Sequence, residues 1–234
     1  MTAATILPGL AVTGPGRVAW VIGAYLAGTL PSAWLVATAT RASALQAEAG
    51  RRAGETDPHV LMVGHLGWGW TILASSADVL KGLLFALAAR ELGHLPPGWL
   101  AAAGVAVVLG HTFPIYLRRW AGRGLAASAG VLLVLLPVEM TVAGVLIVVG
   151  YATHRTGLLS SVAFVSVPLV AAVQGQPAAF VWMGVAILAI LLARRLEGVT
   201  DVVRAGVPWR RAVVQRAVFD VTARPGPEPG HPSG

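Results

Sequence analysis

The hydrophobic residues of this chain lie in long, nearly unbroken runs that short polar segments separate. A helix needs about 20 residues to cross the hydrocarbon core of a bilayer, and several runs approach or reach that length. The run from Leu125 to Ala152 is too long for one ordinary span, and Pro137 near its middle predicts a division into two helices. Seven spans follow, over residues 18–38, 66–89, 99–117, 125–136, 140–152, 158–173 and 178–193. The pattern therefore predicts an all-α, polytopic membrane bundle of about seven transmembrane helices.

The positions of the basic residues predict how this bundle is oriented. Loops that face the cytoplasm carry an excess of Lys and Arg. If the N-terminus lies outside, the arginines of alternate loops and of the tail fall inside: Arg41, Arg51, Arg52, Arg118, Arg119, Arg123, Arg155, Arg194 and Arg195. We therefore predict a cytoplasmic C-terminus. Anionic lipid headgroups account for the net charge of +7, so no nucleic acid partner is predicted.

The overall composition excludes several classes of protein. Hydrophobic residues make up 56% of the chain and charged residues only 12%, whereas about a quarter of the residues are charged in soluble domains. There is no cysteine, which excludes disulfides, thiolate catalysis and Cys-ligated metals. The six histidines show no HxxxH or HExxH spacing, so neither a metal nor another cofactor is predicted. Residues 1–16 have no cationic region before an apolar one, so a cleaved signal peptide is not expected.

The chain becomes polar after Leu196, and this change predicts a domain boundary. We assign residues 1–197 to a membrane domain and residues 198–234 to a basic cytoplasmic tail. Residues 208–220 are predicted to form an interfacial helix, with Trp209 toward lipid and Arg216 toward the headgroups. Residues 223–230, rich in Pro and Gly, are predicted to be disordered.

The segment from Gly110 to Gly124 carries the clearest candidate chemistry. It places a titratable imidazole, His111, and a glycine-flanked arginine, Arg123, at the end of the third span. Gly122 and Gly124 would allow backbone N–H groups to approach a phosphate closely while the guanidinium pairs with it. The alternative is an ordinary cytoplasmic loop whose arginines follow the positive-inside rule.

Asp78 and Lys81 lie inside the second predicted span, where ionisable side chains are costly and usually face the protein interior or water. Their three-residue spacing places them on one face of a helix. They are therefore predicted to form an intramembrane pair, which either neutralises itself for structural reasons or takes part in a site.

Five motifs along the chain occur in an order that resembles a known family. They are Gly28-Thr29-Leu30-Pro31-Ser32, Arg51-Arg52-Ala53-Gly54, Asp78-Val79-Leu80-Lys81-Gly82, the Gly110–Gly124 loop, and His154-Arg155 followed by Ser160-Ser161. Over residues 17–200 this series resembles the bacterial membrane glycerol-3-phosphate acyltransferases that use acyl-phosphate as donor.

The resemblance implies a multi-pass enzyme of phospholipid biosynthesis in the bacterial cell membrane. Its expected reaction moves a fatty acyl group from acyl-phosphate to the sn-1 hydroxyl of glycerol 3-phosphate, giving lysophosphatidic acid without a cofactor. His111 and Arg123 are the implied catalytic residues, with His111 positioning or polarising a substrate. The implied phosphate-binding residues are Arg51, Gly54, Gly122, Gly124, Arg155 and Ser161.

The chain departs from the family pattern in four motifs, one of them by Leu158 in place of a serine in the segment after Arg155. The family's Gly-Ser-Gly-Asn loop is Gly54-Glu55-Thr56-Asp57 here, which places carboxylates where phosphate is expected. Its loop lysine is Arg123, and its His-x-x-Asn near the last span is replaced by Ala189 and Leu192. An inactive or altered-acceptor homologue acting as a scaffold for lipid enzymes is therefore the alternative. A small transporter, resting on Asp78 and Lys81 alone, is the third.

Overall fold

The computed structural model describes residues 14–51, 57–204 and 206–219, and within these ranges the regular structure is entirely helical. A short 3₁₀ helix covers Arg118–Trp120. The α-helices are α1 (Gly14–Gly28), α2 (Ser32–Ala39), α3 (Ser43–Arg51), α4 (Pro58–Leu66), α5 (Trp68–Glu91), α6 (Pro97–Thr112), α7 (Leu125–Leu135), α8 (Pro137–Ala152), α9 (Thr156–Val173), α10 (Ala178–Leu196), α11 (Val199–Arg204) and α12 (Trp209–Ala217).

The predicted spans correspond to seven apolar segments of this structure. Helices α5, α9 and α10 are each long and apolar enough to cross a membrane, and α1 with α2 forms a fourth candidate bent by 43°. Helices α6, α7 and α8 are apolar but shorter. The division at Pro137 is confirmed, because α7 ends at Leu135 and α8 begins at the proline. The number of helices that cross the membrane stays a prediction.

Glycines let two helix pairs touch backbone to backbone. A Cβ added at Gly28 of α1 would overlap the carbonyl oxygen of Val107 in α6, and one at Gly110 would overlap that of Tyr25. Helices α5 and α7 meet in the same way at Gly82 and Gly130. Small residues are the usual means of close helix packing in membranes, where lipid provides no hydrophobic drive between helices. These contacts bring the break after α1, the polar face of α5 and the end of α6 together.

The tail begins with two helices that pack on the end of α10. Val199, Val202 and Ala212 form a small buried cluster between α11 and α12. Arg216 is also buried, and its guanidinium donates to the backbone carbonyl of Glu197. The expectation that Arg216 faces lipid headgroups is therefore wrong, because its face of α12 packs against the protein. The boundary at residue 197 stays a prediction, and residues 223–230 lie outside the described residues.

The orientation also stays a prediction, and reporter fusions test it. Green fluorescent protein fused after Gly234 is expected to fluoresce, and alkaline phosphatase at the same point is expected to be inactive, because the tail arginines favour the cytoplasm. Truncated fusions after His94, between α5 and α6, provide the matched control and should show the opposite result. Active phosphatase at the C-terminus would contradict the prediction and show that the C-terminus lies outside the cytoplasm.

Candidate active site

The site is built around Asp78, a fully buried carboxylate in the middle of α5. Nζ of Lys81, one turn further along the helix, lies 2.7 Å from Oδ1 of Asp78. Nε2 of His59 in α4 lies 3.1 Å from Oδ2, and Nδ1 of His111 in α6 lies 3.5 Å from Oδ1. Burying a charge is costly unless it is paired, so three basic side chains from three helices stabilise this carboxylate. Asp78 is therefore the centre of a cluster larger than the predicted pair.

Lys81 links this cluster to the break between α1 and α2. Its Nζ donates to the backbone carbonyls of Gly28 and Leu30, at 3.1 and 2.8 Å. These carbonyls lie where Pro31, which has no N–H, interrupts the helical hydrogen bonds. An ammonium group is the favoured partner of carbonyls at a helix C-terminus. Lys81 thus fixes the bend in the first apolar segment beside Asp78.

The loop that follows α6 folds back onto His111. The imidazole is buried, with 6% of the residue exposed, and a Cβ added at Gly122 would overlap Nε2 of His111. Gly124 has φ +87°, a left-handed conformation that glycine adopts without strain. The two glycines that flank Arg123 are therefore required by the fold of the loop itself.

Arg194, in the last turn of α10, holds this loop by hydrogen bonds to its backbone. Its Nη2 donates to the carbonyl of Ala121 at 3.0 Å, and its Nε donates to that of Gly122 at 3.4 Å. The guanidinium is buried and also pairs with the carboxylate of Glu197. Arg194 is thus a structural component of the loop, whereas the sequence had indicated only a marker of orientation.

Asp57 connects the start of α4 to Arg123. As the N-cap, its Oδ1 accepts the backbone N–H of His59 at 2.8 Å, and Pro58 occupies the first turn. The same oxygen lies 2.9 Å from Nδ1 of His59, while Oδ2 accepts the backbone N–H of Arg123 at 3.3 Å. Burial alone would raise the pKa of Asp57, but the hydrogen bonds and positive charge of His59 outweigh it and hold that pKa below its usual range. His59 therefore balances the negative charge of the Asp57 carboxylate within the protein.

A cavity of about 560 Å³ opens beside Arg123 and Asp57. Thr156 and Ser160 complete its polar end. Apolar side chains form the remaining walls, among them Leu125, Ala129, Met140, Ile147, Phe164 and Phe219. The polar end carries an arginine, the compensated carboxylate of Asp57 and two hydroxyl groups, and the remaining walls are largely apolar. Such a cavity suits an anionic molecule that carries an acyl chain.

Ser161 belongs to a second group of polar side chains at the start of α9. Its hydroxyl oxygen lies 2.8 Å from the carbonyl oxygen of Val218 and 3.0 Å from that of Gly157, and its one proton can be donated to either. The Arg195 guanidinium contacts it at 2.5 Å and donates to Ser160 at 2.9 Å. Ser160 also lines the cavity beside Arg123. Ser160 therefore connects the polar group at the start of α9 with the polar end of the cavity.

The sequence-predicted residues are distributed as follows. The structure brings together His111, Gly122, Arg123, Gly124, Asp78 and Lys81. Arg155 is exposed at the N-cap of α9, next to Thr156 of the cavity wall. Arg51 is the last residue of α3, and Gly54 lies outside the described residues. The described residues contain no group of three or more His, Cys, Asp or Glu side chains arranged to hold a metal ion.

His59, Arg194 and Arg195 are the site residues that the sequence analysis missed. For His59 a signal was present, because Asp57-Pro58 is a typical start of a helix and places His59 in its first turn. The two arginines follow a long apolar run and have no comparable local signal.

A helical membrane fold that holds a glycine-flanked arginine at the polar end of an apolar cavity defines a membrane protein suited to anionic amphiphiles. Comparison with known proteins identifies a family within this class of membrane protein. The profile of the glycerol-3-phosphate acyltransferase family matches residues 18–204. The chain belongs to this family, as its motifs predicted.

Individual relatives and a solved structure agree with that assignment. The glycerol-3-phosphate acyltransferase of Halalkalibacterium halodurans is 33% identical over 177 residues, which cover 73% of this chain and 84% of the relative. That of Geotalea daltonii is 31% identical over 180 residues, covering 76% and 90%. The crystal structure of PlsY (YgiH), an integral membrane glycerol 3-phosphate acyltransferase in its glycerol 3-phosphate form, superposes with a TM-score of 0.67. It is 25% identical, and the match covers 81% of this chain and 92% of PlsY. The chain is thus a multi-pass bacterial membrane protein.

Proposed function

We propose that this chain transfers a fatty acyl group from acyl-phosphate to glycerol 3-phosphate and releases lysophosphatidic acid. The observation that carries the proposal is the position of Arg123, at the polar end of a cavity whose other walls are apolar. Both substrates carry a phosphate, and the donor also carries an acyl chain. A guanidinium and its neighbouring N–H groups would bind the phosphates, and the apolar walls would hold the chain.

The electrostatics of the polar end support phosphate binding. Arg123 lies at this end of the cavity, and the buried Arg194 lies directly behind the loop. Asp57 is paired with His59, so its carboxylate does not oppose a phosphate as a free charge would. Arg155 and Ser161 are proposed to contact substrate from the start of α9, and Arg51 from the end of α3. Gly54, outside the described residues, is also proposed to bind phosphate.

The proposed transfer is a direct displacement. The hydroxyl oxygen of glycerol 3-phosphate attacks the acyl carbonyl carbon and forms the ester bond. The bond from that carbon to the phosphate oxygen breaks, inorganic phosphate leaves, and the hydroxyl proton passes to a substrate phosphate. Arg123 neutralises charge on the phosphate groups. His111, oriented by Asp78 and packed on Gly122, holds the loop in position for that contact.

An assay with purified protein in detergent tests the proposal. Radiolabelled glycerol 3-phosphate and palmitoyl-phosphate are expected to yield labelled lysophosphatidic acid, whereas palmitoyl-CoA in place of the donor should give none. Other polyol phosphates, offered in parallel, test for an altered acceptor. A preparation that is folded but transfers no acyl group from palmitoyl-phosphate to any acceptor would favour the scaffold alternative.

A further inference from the structure

His59 bridges two carboxylates that come from different parts of the chain. Its Nδ1 lies 2.9 Å from Oδ1 of Asp57, and its Nε2 lies 3.1 Å from Oδ2 of Asp78. Nδ1 makes a hydrogen bond to Asp57, and Nε2 lies within ion-pair distance of Asp78, so each ring nitrogen faces a carboxylate oxygen. The neutral ring has one nitrogen without a proton. In the neutral form the lone pair of that nitrogen would face a carboxylate. The geometry therefore favours the imidazolium ion.

The surroundings of His59 agree with a fixed positive charge. Burial would lower the pKa of His59, but hydrogen bonds and attraction from Asp57 and Asp78 outweigh it and raise that pKa to about 10. The other charged or titratable groups of this cluster are Lys81 and His111, which contact the other oxygen of Asp78, and Arg123 and Arg194, whose charges act on Asp57. The ion carries its charge throughout the neutral pH range.

The same two carboxylates reach the residues that the proposed reaction needs. The second oxygen of Asp57 accepts the backbone N–H of Arg123, and Oδ1 of Asp78 contacts Lys81 and His111. A continuous path of polar contacts thus runs from the Arg123 loop through His59 to His111. Without the imidazolium, Asp57 would be a partly buried anion with reduced compensation beside the proposed phosphate site.

We propose that His59 is a positioning residue for acyl transfer, which neutralises Asp57 and ties the Arg123 loop to Asp78. The inference rests on the proposed function, which supplies the phosphate that Asp57 would otherwise repel. It also accounts for one departure from the family motif, where Asp57 replaces an asparagine. In this chain Asp57 and His59 act as a pair. Because Asp57 is charged, His59 is needed to neutralise it beside the proposed phosphate site.

A double-mutant cycle tests the pairing. His59→Gln is expected to raise the KM for glycerol 3-phosphate roughly tenfold or more, with a smaller change in kcat, because the glutamine carries no charge. Asp57→Asn removes the charge that His59 neutralises. Asparagine is also a good N-cap, but its one carbonyl oxygen can accept the His59 N–H or the Arg123 N–H and not both, so this variant is measured as the second background of the cycle. In that background His59→Gln is expected to raise the KM much less than it does in wild type, because no carboxylate remains at residue 57. The proposal fails if His59→Gln has no effect, or the same effect in both backgrounds.

A measurement of charge keeps the inference separate from activity. Nitrogen-15 spectra of histidine-labelled protein in detergent, with the His59 signal assigned by elimination through single substitutions of the other five histidines, should show both ring nitrogens of His59 protonated at pH 8. The Asp57→Asn variant should lower the pKa of His59. A neutral His59 at that pH would overturn the inference even if His59→Gln does not fold. If the wild type transfers no acyl group, the proposed function fails, whereas normal turnover by His59→Gln refutes only the positioning role.

Discussion

Replacing Arg123 by alanine is expected to lower acyl transfer about ten- to a hundredfold, because one charge-assisted contact to phosphate contributes roughly 1.5–3 kcal/mol. Arg123→Lys should retain much of the activity, since an ammonium group also neutralises phosphate. Both substitutions keep the backbone N–H that donates to Asp57, so the anchor of the loop is preserved. Initial rates of lysophosphatidic acid formation, measured across a range of glycerol 3-phosphate concentrations, separate the effects on KM and kcat.

Arg210→Ala is the matched control for the loss of one positive charge. Arg210 is exposed on α12, away from the residues that line the cavity. Its removal should leave the rate near that of wild type. If Arg123→Ala were equally active, the Gly122–Gly124 segment would not contact the phosphate, and the site would have to lie elsewhere.

The fold was largely predictable because apolar length and proline act locally. The long apolar runs correspond to helices α1–α2 and α5 to α10, and Pro137 separates α7 from α8 as expected. The third span was predicted to reach Leu117, whereas α6 ends at Thr112. The residue before a proline disfavours helix, and Phe113 precedes Pro114, so the helix ends before the apolar residues do.

The site was only partly predictable because most of its contacts are distant in sequence. Spacing alone places Asp78 and Lys81 on one face of α5. It does not show that α4 and α6 each bring a histidine to the same carboxylate. Asp57 was interpreted as a charge that repels phosphate, because the sequence does not show that His59 pairs with it. Helix packing, rather than composition, determines which charges compensate one another.

The tail is a second part of the chain whose contribution to the site could not be predicted from the sequence. The matched family profile ends at residue 204, and α12 lies after it. Yet the carbonyls of Ala217 and Val218 accept hydrogen bonds from Arg195 and Ser161, and Phe219 lines the cavity. A segment that hydropathy assigns to the membrane surface therefore forms part of the wall of the site.

Gly122→Ala is expected to remove most of the activity although it changes no charge. The added methyl group would overlap Nε2 of His111 and lie 2.5 Å from Cε1. His111 is buried and its other nitrogen faces Asp78, so the imidazole has little room to move. Overpacking costs about 1–3 kcal/mol, and the strain falls on the loop that carries Arg123. Lysophosphatidic acid formation and the midpoint of thermal unfolding, measured on the same preparation, should both decrease.

Two further variants separate this packing effect from a general effect of the substitution. Gly144→Ala in α8 is the control, because nothing lies within 4 Å of its added Cβ, and alanine favours a helix over glycine. It should match wild type or exceed it in stability. His111→Ala makes room for the methyl group, so Gly122→Ala should lower the unfolding midpoint less in the His111→Ala background than in wild type, while activity stays low. Wild-type activity and stability in Gly122→Ala would mean that the loop does not rest on His111, and that its glycine serves only the approach of substrate.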